Sequence, residues 1–263
     1  MDRRIGTERR GHVVVATLDH APVNALDEAL LGELQTLLDA AVADDTVTVL
    51  HLRSAQRVFC AGADLALMRD SLASEAGTET MLALVRHMQR LNARLEAAPL
   101  VTLAEIGGAA LGGGFELALA CDLRIAAEQA QLGLPEAGLG LLPGAGGTQR
   151  LTRLVGSGLA RRLILGAETL SGSEAAALGL VQWAAPLAEL PARAQAIAAR
   201  LAGLPRHALA EGKHCIELAA AAGDAGFAAE IDGTRRLYHD PETQRRVADF
   251  LDRRAGRARS NSS

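Results

Sequence analysis

Residues 107–149 read GGAALGGGFELALACDLRIAAEQAQLGLPEAGLGLLPGAGGTQ, and this stretch contains two glutamates, Glu116 and Glu136. They lie twenty positions apart among residues that are nearly all apolar or small. A carboxylate in such surroundings is costly unless it has partners or its pKa changes. Paired carboxyl groups in apolar sites commonly transfer protons near neutral pH. The stretch therefore predicts an acid/base pair.

A run of three glycines, 112–114, comes just before the first glutamate. Because glycine has no Cβ, such a run lets backbone N–H groups approach a ligand closely. The run predicts a backbone pocket for a negative charge that develops during a reaction. Taken alone, a glycine run is typical of a turn and a glutamate is typical of a solvated surface. The neighbours of Glu116 argue against a surface position, because they leave no clear polar face.

Short apolar runs alternate with helical patterns on both sides of this stretch. Strands are predicted at 13–18, 47–52, 100–106, 122–127 and 131–134. Helices are predicted after an N-cap at Asp27, across 81–95, at 115–121, from 148 to Gly156, and after a capping box formed by Ser171 and Glu174. Residues 71–80 are polar and small, and they are interpreted as a mobile loop. The alternation over 1–185 predicts an α/β fold.

The chain from about residue 187 is rich in alanine and arginine and predicts three or four helices. The last of them is expected to have Asp240 as its N-cap and Pro241 at its first position. We therefore predict a core at 1–186, a helical region at 187–256 and a disordered tail at 257–263.

Composition limits the class of protein. The chain has 263 residues, which suits one large domain or one domain with an appendage. Its net charge of −4 does not favour nucleic acid as a partner. The three cysteines, Cys60, Cys121 and Cys215, show no CxxC spacing, so buried free thiols are expected and no metal site. No apolar run is long enough for a signal peptide or a membrane span, and this predicts a cytoplasmic protein.

Four segments together resemble the crotonase family, also called the enoyl-CoA hydratase/isomerase superfamily. They are FCAGADL (59–65), ALGGGFELALACD (110–122), LPEAGLGLLPGAGGTQRL (134–151) and SEAAALGL (173–180), in the family's order and spacing. The match begins at PVNAL (22–26) and runs to about residue 181. The resemblance implies a crotonase-like spiral of ββα turns with two roughly perpendicular sheets and a C-terminal α-helical region. It also implies a homotrimer or hexamer, with the helical region at the subunit contacts and over the CoA site.

The same resemblance implies an acyl-CoA substrate, with coenzyme A as part of the substrate and no separate cofactor. The backbone N–H groups of Ala63 and Gly113 would form the oxyanion hole for the thioester enolate, next to the start of the helix that carries Glu116. Further contacts to substrate or CoA are expected from Ala25, Ala61, Gly62, Asp64, Leu65 and Gly112. Asp64 has a second interpretation as a helix cap. Arg57 and Arg69 flank the expected CoA entry and are otherwise typical of solvated side chains. Phe250, Arg253 and Arg254 match the family's C-terminal helix only loosely.

Because the family's hydratases carry two catalytic glutamates at the positions of Glu116 and Glu136, the resemblance implies an enoyl-CoA hydratase of fatty acid metabolism. Glu116 would be mainly the base and Glu136 mainly the acid. The alternatives are an enoyl-CoA isomerase, a specialised acyl-CoA hydratase or dehydratase, an RNA-binding homologue, and a catalytically inactive assembly protein. RNA binding is disfavoured because the early helix has no Lys or Arg and carries Asp27, Glu28, Glu33 and Asp39. Two intact glutamates disfavour an inactive protein.

Overall fold

The computed structural model describes residues 3–64, 67, 74–218, 232, 236, 240–243 and 245–246. The chain divides into two compact units, Met1–Ala202 and Gly203–Ser263. Within the described residues, no helix combines the length and the apolar character that crossing a bilayer requires.

The larger sheet of the first unit has six strands. They are β1 (Ile5–Arg10), β2 (Val13–Leu18), β3 (Val49–Ser54), β4 (Val101–Ile106), β6 (Leu123–Ala127) and β9 (Trp183–Ala185), in the order β1-β2-β3-β4-β6-β9. Only the β1–β2 pair is antiparallel in this sheet. Every residue of β4 is buried, as expected for a parallel strand with both faces covered.

A smaller sheet of three strands lies beside the glycine run. It contains β5 (Ala110–Leu111), β7 (Gln131–Gly133) and β8 (Thr169–Ser171). An isolated bridge joins Cys60 to Ala110, and another joins Leu26 to Ala63. These bridges tie three separate segments of the chain together close to the predicted site.

The described helices begin with α1 (Glu28–Ala43), α2 (Glu75–Ala97), α3 (Gly113–Leu119), a 3₁₀ helix (Pro135–Leu139), α4 (Gly147–Leu165) and α5 (Gly172–Ala177), and end with α6 (Leu190–Ala202) and α7 (Arg206–Leu218). All seven residues of α3 are buried, which explains why its sequence has no polar face. Helix α6 packs across β3, β4 and β6 and belongs to the first unit. The boundary at 186/187 stays a prediction, and the tail 257–263 lies outside the described residues.

Several local predictions are confirmed. The Asp27 side chain accepts the Leu30 N–H and caps α1. Ser171 and Glu174 form the capping box of α5. In the second unit, Asp240 accepts the Thr243 N–H at 2.9 Å, where residues 241–243 are helical. Each of these caps joins residues within one turn, so the local sequence was sufficient to predict it.

The mobile loop predicted at 71–80 is wrong for residues 75–80, which form the first turns of α2. Ser74 caps this helix through the Gly77 N–H, and the Thr78 and Thr80 hydroxyls donate to carbonyls one turn back. Small polar residues therefore cover an exposed helix face here. Residues 71–73 lie outside the described part of the chain.

Two further differences concern strands and a helix end. The sequence interpretation missed β1, β5, β8 and β9. Strand β1 (IGTERR) buries only Ile5 and pairs through its backbone at the sheet edge. The predicted break at Gly156 exists, with φ +76°, but helical structure resumes and continues to Leu165. Strand β3 begins two residues later than predicted, at 49 rather than 47.

Candidate active site

Glu116 lies in the first turn of α3 and is only 2% exposed. Its Oε1 atom accepts two backbone hydrogen bonds, from Ala145 N–H at 2.8 Å and from Gly147 N–H at 2.7 Å. Both donors belong to the glycine-rich turn that opens α4. A Cβ at position 147 would lie 2.9 Å from Glu116 Oε1, so this approach requires glycine.

Burial, together with the nearby charge of Glu136, raises the pKa of Glu116 to about 7, although the two N–H donors and Arg150 act to lower it. The carboxyl group therefore titrates near neutral pH. A group with this pKa can hold or release a proton under physiological conditions.

Glu136 occupies the 3₁₀ helix that follows Leu134, with Pro135 at its first position. Its Oε1 lies 3.0 Å from where a Cβ of Gly112 would be, which places the carboxylate over the glycine run. Its Oε2 is buried and has no hydrogen-bond partner among the described residues. Burial raises the pKa of this carboxyl group as well. The structure thus brings the two predicted acids to the same end of α3.

The two loops that carry the predicted oxyanion donors touch each other. Gly62 has φ +95°, and a Cβ there would lie 2.9 Å from Leu111 O and 3.2 Å from Gly113 N. Only glycine permits this contact. In the described part of the chain, neither Ala63 N–H nor Gly113 N–H donates a backbone hydrogen bond. Two unused donors on touching loops suit a site for a developing oxyanion.

The remaining predicted contact residues surround this junction. The Gly62 carbonyl accepts the Leu26 N–H, the Ala61 N–H donates to Val23, and the Gly112 N–H donates to Gly133. The Ala25 carbonyl accepts from His20 Nδ1 at 3.1 Å.

The structure describes only some of the residues that were predicted to lie near the CoA entry. Asp64 accepts the Leu67 N–H at 3.1 Å, which is the geometry of a helix cap. Arg57 is exposed. Leu65, Arg69, Phe250, Arg253 and Arg254 lie outside the described residues.

The sequence interpretation missed the side chains that support the glycine-rich turn. Gln89 donates to Gly144 O at 2.6 Å, and Asn92 donates to Ala145 O at 3.1 Å. Arg150 reaches Ala145 O at 3.2 Å and pairs with Glu96 at 2.7 Å. The available signal was the spacing of 89, 92 and 96, which places three polar residues along one side of α2.

Comparison with known proteins identifies the family of this chain. The model of the Enoyl-CoA hydratase/isomerase family matches residues 8–257. The chain belongs to this family. It is 45% identical over 191 residues to a probable enoyl-CoA hydratase of Bacillus subtilis, an alignment that covers 72% of each chain. It is 43% identical over 180 residues to the mitochondrial methylglutaconyl-CoA hydratase of Mus musculus, which covers 68% of this chain and 56% of that one.

A solved structure of the family supports the fold. The enoyl-CoA hydratase from Bacillus anthracis is 34% identical, with a TM-score of 0.89, and the superposition covers 95% of this chain and 97% of that one. The crotonase fold implied by the four sequence segments is therefore confirmed.

Two other sequence expectations concern metals and RNA. Among the described residues, no group of three His, Cys, Asp or Glu side chains could hold a metal ion. Cys60 and Cys121 are buried free thiols and Cys215 is half-buried; burial raises the pKa of Cys60 to about 12. The acids of α1 contact neighbouring groups, since Glu28 pairs with His87 and Glu33 accepts the Arg4 and Ile5 N–H groups. That RNA binding is disfavoured stays a prediction from the acidic composition of this helix.

Proposed function

We propose that the protein is an enoyl-CoA hydratase, which adds water across the 2,3 double bond of a trans-2-enoyl-CoA to give a 3-hydroxyacyl-CoA. The observation that carries this proposal is the pair of carboxyl groups at one end of α3, both with a raised pKa and one with an unused oxygen. Hydration requires one group to remove a proton from water and another to deliver a proton to carbon. Two coupled carboxyl groups that share a proton meet this requirement.

In the proposed reaction, the thioester oxygen accepts hydrogen bonds from Ala63 N–H and Gly113 N–H. Ionised Glu116 takes a proton from the water, and the water oxygen bonds to C3. The electron pair of the double bond moves towards the thioester, and the two N–H groups stabilise the enolate. Protonated Glu136 then gives its proton to C2. The two carboxyl groups have exchanged protonation states at the end, and proton exchange after product release restores them.

The environments of the two acids support this division of roles. The Glu116 carboxylate is held by two N–H donors that favour its ionised form, as a base requires. The unused Oε2 of Glu136 is free to carry a proton towards a ligand. Neither group is expected to hold the CoA moiety, so both should act on kcat rather than on KM.

A spectrophotometric assay tests the proposal. Purified protein should abolish the conjugated enoyl absorbance of short and medium trans-2-enoyl-CoA thioesters, with formation of 3-hydroxyacyl-CoA. The substrate panel should include branched and carboxylated thioesters, because the acyl preference is undefined. If no 2-enoyl-CoA is consumed while a 3-enoyl-CoA is isomerised rapidly, the isomerase alternative is correct.

We also propose that the protein assembles as a homotrimer or hexamer. Leu139, Leu141 and Leu142, which follow Glu136, are 66%, 44% and 69% exposed in the single chain. Large exposed apolar side chains in one segment favour coverage by another surface. Light scattering should give about three or six times 27.4 kDa. An active monomer at micromolar concentration would contradict this assembly. A cytoplasmic location and a role in fatty acid metabolism stay predictions.

A further inference from the structure

The turn that binds Glu116 is itself hydrogen-bonded by side chains of α2. The turn comprises residues 144–147, and its N–H groups at Ala145 and Gly147 point to Glu116 Oε1. Two of its carbonyl groups, those of Gly144 and Ala145, accept hydrogen bonds from side chains of α2. The position of the N–H groups that bind Glu116 therefore depends on what binds these two carbonyl oxygens.

Gln89 and Asn92 bind those oxygens from neighbouring positions on α2. Gln89 Nε2 donates to Gly144 O at 2.6 Å, and Asn92 Nδ2 donates to Ala145 O at 3.1 Å. The Gly144 carbonyl, which Gln89 binds, belongs to the same planar peptide unit as the Ala145 N–H, so this bond directly orients a donor to Glu116. The Ala145 carbonyl, which Asn92 binds, belongs to the next peptide unit, so Asn92 fixes the turn between its two donors, Ala145 N–H and Gly147 N–H. Asn92 is only 2% exposed, and a buried amide of this kind is costly unless it is hydrogen-bonded.

The charged groups that act on this turn and on Glu116 lie on α4, α2 and the 3₁₀ helix. Arg150 on α4 lies close enough to Glu116 to lower its pKa and also reaches Ala145 O. Glu96 on α2 holds the Arg150 guanidinium through its Nε at 3.0 Å and its Nη2 at 2.7 Å. On the 3₁₀ helix, the charge of Glu136 acts on Glu116 in the opposite direction. Uncharged amides thus supply the remaining contacts from α2 to the turn.

We propose that Asn92, assisted by Gln89, is a positioning residue for Glu116: the two side-chain amides hold the 144–147 turn so that its N–H groups meet the carboxylate. The assignment of Glu116 as a base rests on the proposed function, whereas the structural coupling does not. Without the amides the turn can rotate, and the Ala145 carbonyl loses a buried donor. The ionised form of Glu116 would then lose hydrogen-bond stabilisation, and its protonated form would persist to higher pH.

The test compares Asn92→Leu and Gln89→Leu with wild type and with Gln35→Leu. Gln35 is a matched control, because it is a half-buried helical amide whose side chain donates to Asp39 on the same helix, far from the 144–147 turn in sequence. The full-length protein is titrated by difference infrared spectroscopy of its carboxyl groups. The Glu116→Gln protein identifies the Glu116 band. This measurement needs no turnover, so it remains informative even if the protein is not a hydratase.

The Glu116 titration should move up by about one pH unit in Asn92→Leu and about half a unit in Gln89→Leu, with no shift in Gln35→Leu. If hydratase activity is present, kcat at pH 7 should fall about fivefold in Asn92→Leu and recover near pH 9, with KM unchanged, because the ionised fraction is what changes. A purely structural role would lower the melting temperature without moving either pH profile.

Unchanged titration midpoints in folded Asn92→Leu protein would overturn the proposal. If Asn92→Leu does not fold, the exposed Gln89→Leu variant decides the question by the same measurement. Wild-type protein that lacks hydratase activity but shows the predicted infrared shifts would refute the proposed function alone. Active protein with no shift in either variant would refute the positioning role alone.

Discussion

Glu116 and Glu136 are the same residue type at one site, but the chain surrounds them in different ways. Glu116 lies on a fully buried helix, and two backbone N–H groups hold one of its oxygens. Glu136 is itself half-buried on a 3₁₀ turn whose last three residues are exposed, and one of its oxygens has no partner among the described residues. Burial raises the pKa of both. The difference separates a carboxylate with a fixed orientation from one that is free to meet a ligand.

The largest effects should come from removing either carboxylate. Glu116→Gln and Glu136→Gln should each lower kcat by roughly 10²–10⁴, the usual contribution of a positioned acid or base. KM should change little. The double variant should be far less than additive, because both groups act on one water molecule. Steady-state kinetics with a 2-enoyl-CoA check this, and a near-wild-type rate in either single variant would contradict its role.

A second test removes an N–H donor and leaves both acids in place. Gly113→Pro should raise the transition-state barrier by about 3–4 kcal/mol, the usual cost of one lost oxyanion donor. Gly113→Ala is the matched control, because its Cβ would meet the same Met88 Cε at 2.5 Å while the N–H remains. Equal kcat values for the two variants, with circular dichroism showing both folded, would rule out this donor.

The burial of Glu116 also predicts how the free energy of unfolding depends on pH. Because folding raises the pKa of Glu116 from an ordinary 4.5 to about 7, the folded state binds more protons between these values. The free energy of unfolding therefore falls as pH rises through this window, by about 3 kcal/mol when complete. Glu116→Gln should remove this loss and gain stability relative to wild type between pH 5 and pH 8. Urea unfolding measures the change, and a constant difference across pH would contradict it.

A substitution at Gly112 should have a smaller effect on activity and should disturb Glu136 without disturbing Glu116. Gly112→Ala would place a Cβ 3.0 Å from Glu136 Oε1, at a residue with φ +51°. We expect kcat to fall about tenfold, since backbone strain and displacement of Glu136 cost about 1–3 kcal/mol. The Glu116 infrared titration should stay near its wild-type position. Gly32→Ala is the control, because a Cβ there meets nothing within 4 Å. A Glu116 shift as large as the loss of activity would show that the two environments are not independent.

How much of this site could be predicted from sequence depended on distance along the chain. The caps at Asp27 and Ser171 use neighbours within one turn, and both were predicted correctly. Glu116 and Glu136 could be paired because an acid in an apolar run is unusual and the family segments lie in register.

Other features depend on residues far apart in the sequence. Asn92 contacts Ala145 across 53 positions, and no local pattern specifies that pairing. Strand β1 could not be recognised from its own residues, because its pairing is through the backbone and four of its six residues are exposed. The helix at 75–80 was missed because its polar residues suit a loop equally well until the N-cap at Ser74 is seen.

The two kinds of contact that hold Glu116, backbone N–H groups and the side-chain amides behind them, differ in how easily mutation can change them during natural or directed evolution. Main-chain donors at 145 and 147 persist through every substitution except proline, although position 147 has no room for a side chain. The amides at 89 and 92 can be exchanged one codon at a time. If Asn92 and Gln89 position Glu116 as proposed, a library confined to α2 can vary the working pH while both carboxylates and the whole glycine run stay unchanged.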